Sequence, residues 1–187
     1  MSLRDHFVQM ARNNAWSNLR LYRACRQLDH AALIQARTNF FPTILSTLQH
    51  LQIVDAYYVD GLEQAGRGAG IWDDEGKYAD VESLWIAQRE VDQRLIAFCE
   101  RARTDADLEV PITLQRRTGP QVDLARDILA HLFVHQIHHR GQAHAMLAGT
   151  HVPPPQLDEW FLAMDRPIAE AELAEVAAHD VAGSRGR

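Results

Sequence analysis

Of the ten histidines in the chain, five lie between residues 131 and 144. Imidazole is both a common metal ligand and the side chain whose charge changes most readily near neutral pH, so this crowding points to metal or proton chemistry. On a helical wheel Leu124, Ile128, His131, His135, His138, His139, Gln142 and Met146 share a sector of roughly 100°. That is the sector a helix of a bundle is expected to turn inward. His144 lies off the arc and is expected at the surface. Histidines four residues apart on a helix can aim ring nitrogens at one point, and two pairs have that spacing, His131 with His135 and His135 with His139. Leu132 and Gln136 stand where a zinc protease would carry its general-base glutamate, which excludes that protease chemistry without excluding a metal.

Two ligands from one helix do not make a tight site. A third imidazole is offered by His50 on an earlier helix, near Thr43, Thr47, Val54 and Tyr57 on the same face. One ring from one helix and two from another would form a three-histidine site with open coordination positions, as catalytic rather than closed structural sites have. A lone inward histidine is ordinarily a hydrogen-bonded core residue, but several buried rings would compete for few partners. His138 and His131 are candidate proton carriers beside such a site. Gln142 is expected to orient a ligand or a ring. Asp127, four residues before His131, is either an acceptor for that ring's proton or an ordinary exposed charge. Arg140 falls roughly opposite the histidines and is expected to pair with a carboxylate or cover a neighbouring surface. Gly141 is read as permitting a close helix approach.

The elements that must position these residues are helical. Apolar periodicity predicts helices over about 5–29, about 42–64 with Pro42 in the first turn, about 80–103 with Asp80 as N-cap, and about 123–148 with Gly149 as C-terminal cap. The last would be on the order of 40 Å long. Between them, Gly66-Arg67-Gly68-Ala69-Gly70 reads as a flexible loop leading into the solvated turn Asp73-Asp74-Glu75, and residues 110–114 as a short strand or extended chain. Gly119-Pro120 punctuates the approach to the last helix. Pro153-Pro154-Pro155 breaks the chain again, before short helices over 157–164 and 169–178. Four long amphipathic helices make an all-α four-helix bundle with short C-terminal helices, in a single domain over residues 1–187.

Composition narrows the function classes. A net charge of −6 argues against a sequence-independent nucleic-acid binder. No apolar run approaches the length of a membrane span, and the first residues lack a signal-peptide or transit pattern, so a cytoplasmic protein with no membrane partner is expected. Cys25 and Cys99 make no disulfide framework and are expected as buried thiols, and the four tryptophans as packing residues.

The segment Thr47-Leu48-Gln49-His50-Leu51, together with His131-Leu132-Phe133-Val134-His135-Gln136-Ile137-His138-His139-Arg140-Gly141-Gln142, resembles the DinB (damage-inducible) family, over about residues 5–165. The resemblance implies a four-helix bundle of unusual crossover connectivity, often dimeric, that holds a divalent metal on three histidines at the positions of His50, His135 and His139. Zinc and nickel are the metals it suggests. The wider superfamily includes transferases that use a low-molecular-weight thiol such as mycothiol or bacillithiol, and a maleylpyruvate isomerase. Where those thiol transferases carry a glutamate in the last-helix pair, this chain has His135. The family name reflects induction by DNA damage and does not imply DNA binding. The expected function is therefore a metal-dependent thiol S-transferase or hydrolase acting on a small-molecule substrate, as a homodimer. The alternative is a non-catalytic metal- or ligand-binding module of a stress response.

Overall fold

A computed structural model describes residues 1–174. Helix α1 (Leu3–Cys25) begins where the Ser2 hydroxyl accepts from the Asp5 amide. It stops before Asp29, the expected end, because the Asp29 carboxylate accepts from the Ala32 amide and so caps a short separate helix, α2 (His30–Ile34). Helix α3 (Ile44–Glu63) opens on a capping box between Thr43 and Ser46. Pro42 therefore stands before the cap rather than in the first turn, and its carbonyl accepts from the Arg37 amide. Helix α4 (Val81–Arg101) is capped by Asp80 as expected. Helix α5 (Ala125–Leu147) ends on Ala148, with the Gly149 amide donating to the Met146 carbonyl.

The four long helices pack in the cyclic order α1–α4–α3–α5. Consequently α1 and α3 face each other across the bundle, as do α4 and α5, and the chain crosses the bundle twice. This is the crossover connectivity that the resemblance implied. The second crossing carries a β-hairpin. Strands β1 (Pro111–Arg116) and β2 (Gly119–Leu124) are antiparallel, with Arg116 opposite Gly119. Gly119-Pro120 thus opens a strand rather than leading directly into a helix, because pairing with β1 satisfies a backbone that proline disqualifies from a helix interior. Ile112 and Leu114 bury one face of the hairpin against α3. Gly61 makes this approach possible, since a Cβ there would collide with Leu114 Cδ2.

Two further expectations are corrected. The glycine loop is not loose, for Gly68–Asp74 forms a 3-10 turn, and the Arg67 and Gly68 amides donate to the buried Asp60 carboxylate at 3.3 and 2.8 Å. Residues 157–164 form bends and turns rather than a helix. Trp160 inserts there against Trp16 of α1, with ring centroids 5.8 Å apart, and a local helix would be unable to follow that surface. A helix covers residues 166–174, and its Glu172 accepts from Arg20 and Trp16 on α1. The remainder of the expected 169–178 helix lies outside the described residues.

A buried polar network crosses the otherwise apolar core. Arg140 is 4% exposed, and its Nη1 donates to the side-chain oxygens of Asn14 at 2.6 Å and Asn18 at 2.9 Å. The amides of Asn14 and Asn18 donate in turn to Asp92. Gln88 donates to both Asp92 and Asp55. Asn14 and Asn18 come from α1, Asp55 from α3, Gln88 and Asp92 from α4, and Gln136 and Arg140 from α5, so one network ties all four helices. The expectation that Arg140 covers a surface is overturned. It is the buried cation of the core, screened from two buried carboxyls only by amide side chains.

Candidate metal centre

The face of α5 that enters the core is formed by Leu129, Leu132, Phe133, Gln136, Arg140 and Ala143. The arc expected to turn inward does so only in part: Ile128, His139 and Met146 are buried, whereas His131, His135 and His138 stand on a flank of the helix. The apolar side chains of the core face gain more from burial than imidazoles lose by standing at the edge. Along this flank His139 is buried, His50 and His135 are half-buried, and His131 and His138 are exposed.

The structure brings together His50 of α3 with His135 and His139 of α5. One ligand-type atom from each of the three lies within 4.8 Å of the others. His50 Nε2 is 2.9 Å from His135 Nε2. Ring centroids are 4.4 Å apart for His135 and His139 and 4.6 Å for His50 and His139. Two nitrogens bound at about 2.0–2.1 Å to one ion stand roughly 2.9–3.4 Å apart, between octahedral and tetrahedral angles. The His50–His135 separation falls in that range.

Electrostatics keep the cluster uncharged. Burial foremost, and then the neighbouring rings led by His139, lower the pKa of His135 to about 3 and that of His50 to about 4. His139 is lowered as well, mainly by burial, against an opposing hydrogen bond to Gln142. All three are neutral at pH 7, as ligation requires. Gln142 Oε1 lies 2.8 Å from His139 Nδ1, and as an acceptor only it fixes the proton on Nδ1 and leaves the Nε2 lone pair for the cluster. Gln142 is the residue expected to orient a ligand or a ring, and the structure places it against His139. His135 Nδ1 is buried without a hydrogen-bond partner. The protein alone does not satisfy this ring.

The other expected residues fall around the cluster rather than in it. His138 Nε2 is 3.2 Å from Gln142 Nε2, on the solvent side. His131 is 6.3 Å, ring to ring, from His135 and 5.3 Å from Tyr58. Asp127 and His131 line one small pocket of ≈ 170 Å³ beside the hairpin. Asp127 is exposed there, and the ion pair it makes is with Arg126 at 3.7 Å. Cys25 and Cys99 are both buried, and burial pushes each thiol up to about 12, so neither is a nucleophile.

Sequence reasoning missed Phe41. Its ring lies 4.2 Å from that of His50 and 5.5 Å from that of His139, covering the cluster from the α2–α3 connection. Asn39 in the same segment donates to the Gln142 carbonyl at 3.4 Å. The signal available was Phe40-Phe41-Pro42, two aromatics placed just ahead of a helix that carries a candidate ligand.

Among the described residues no helix is long and apolar enough to cross a membrane. In comparisons with known proteins, the model of the DinB family matches residues 1–172. No curated protein matches the chain.

Proposed function

The chain belongs to the DinB family, and from that membership and the geometry of its histidines we propose that it is a metal-dependent enzyme, a thiol S-transferase or a hydrolase, built on His50, His135 and His139. The observation that carries this reading is the convergence of three neutral imidazoles from two helices, one ring held in a single tautomer by Gln142 and another left with a buried nitrogen unpartnered. A bound divalent ion, zinc or nickel, supplies positive charge that lowers the pKa of a coordinated water or thiol toward neutrality. Three uncharged ligands leave that charge undiminished. Phe41 excludes water from one side of the cluster, which strengthens electrostatic interactions within it. The exposed rings of His131 and His138 flank the open side, where they accept and return substrate protons. A low-molecular-weight thiol is the co-substrate in the transferase version, and a homodimer is the expected assembly.

Elemental analysis of protein purified without a polyhistidine tag tests the reading. About one zinc or nickel ion per chain is expected, with loss of the ion in His50→Ala. Wild-type protein that binds neither ion overturns the proposal. Turnover in a thiol-conjugation panel, or in an amide and ester panel, then assigns the reaction class. A loaded protein silent in both is a binding or sensing module instead.

A further inference from the structure

A sizeable cavity stands apart from the histidine cluster. It lies on the other flank of α5, between α1, α5 and residues 156–161, with a volume of ≈ 530 Å³. Small-molecule sites typically span about 300–1,000 Å³. Arg140 lines this cavity as well as the core network. Its hydrogen bonds in that network all use Nη1, leaving the Nε and Nη2 donors of the guanidinium outside it.

Gly141 is the second observation. A Cβ built on it meets nothing within 4 Å, so the expected role in close helix packing is overturned. A glycine within a helix is unfavourable relative to alanine, and here no steric demand explains it. What it does provide is a flat stretch of backbone as the cavity floor. Ile137 and Phe161, both well exposed for apolar residues, stand beside it as walls.

We propose that this cavity is a second ligand site, separate from the histidine cluster, for a planar aromatic molecule bearing an uncharged carbonyl acceptor. The ring lies over Gly141 against Phe161 and Ile137, and the carbonyl oxygen accepts from Arg140. The acceptor is uncharged because the single buried guanidinium is already shared between the carboxyls of Asp55 and Asp92, and Asp158 lines the cavity too. Another carboxylate would compete with those groups for that charge.

Ligand-observed NMR titration of the full chain with 2-naphthamide and its isosteric anion 2-naphthoate tests the site. The amide is expected to bind, the anion about tenfold more weakly, and Gly141→Leu to weaken the amide by at least about tenfold. His50→Ala is expected to bind the amide as wild type does. If Gly141→Leu fails to fold by circular dichroism, Phe161→Ala, which removes a wall, serves the same comparison. The proposal is overturned if wild type does not bind the amide, if neither cavity variant weakens it, if His50→Ala abolishes it, or if the anion binds as tightly.

Discussion

Two polar clusters share the same turns of α5, Gln136 and Arg140 on one face and His135 and His139 on the next, and differ in character. The network around Arg140 is fully buried, spans four helices and links its charges through amide side chains, although Asp55 Oδ1 and Gln88 Oε1 have no hydrogen-bond partner. The trio of His50, His135 and His139 sits at the flank, spans two helices, and leaves lone pairs and one buried ring nitrogen without protein partners. Bonds already made among four helices give this network its part in holding the fold together, with Arg140 also lining the cavity beside it. The trio instead offers three neutral ligand atoms converging on one point. The contrast assigns structure to the first and chemistry to the second.

The sharpest break of that contrast is His135→Ala. Metal retention is expected to fall below about a tenth of wild-type occupancy, while the metal-free protein keeps its fold. Elemental analysis and far-UV circular dichroism on the same sample read both halves. Arg140→Met should do the reverse, destabilising the protein by about 3–5 kcal/mol at pH 7, since Asp55 and Asp92 lose their counter-charge. Denaturant unfolding at pH 7 and pH 5 checks it. The loss should be smaller at pH 5, where both carboxyls, already raised by burial to about 7 and about 6, take up protons instead. An Arg140→Met protein as stable as wild type would remove the network from the structural side of the comparison.

Gln142→Leu is a finer probe. The His139 tautomer is no longer fixed, and metal affinity is expected to drop about 10–100-fold with little change in unfolding free energy. Competition with a chromogenic chelator measures the affinity. The smallest expected effect is that of Asp55→Asn. Burial raises the Asp55 pKa above its unfolded value, so the folded state holds the proton more tightly. Stability from this group is present below about pH 4 and is lost as pH rises toward about 7. The neutral amide removes that loss and should gain ~1 kcal/mol at pH 8, with a flatter stability profile between pH 4 and 7. The depressed histidines run the other way, since their contribution is present above pH 6.5 and declines as pH falls toward about 4 and about 3. Metal-free His50→Ala should therefore lose less stability than wild type on acidification, as denaturant titrations across that range would show.

Local chemistry in the chain was sufficient for the helix starts that a single side chain decides, such as Asp80, and for the identity of the ring-orienting Gln142. It was sufficient too for the His135–His139 pair, because a four-residue spacing on a helix brings rings together whatever the surroundings. These are interactions within about one helical turn, so no distant part of the molecule can change them. Which face of α5 turns inward was another matter. A wheel ranks faces by content, but burial is settled by competition among faces for the volume that α1 and α3 leave, and there Leu132, Phe133 and Arg140 left His131, His135 and His138 at the flank. The 2.9 Å approach of His50 to His135, Phe41 over the cluster and the hairpin at Gly119-Pro120 likewise depend on partners tens of residues away. Their energies come from contacts that exist only once the bundle has closed.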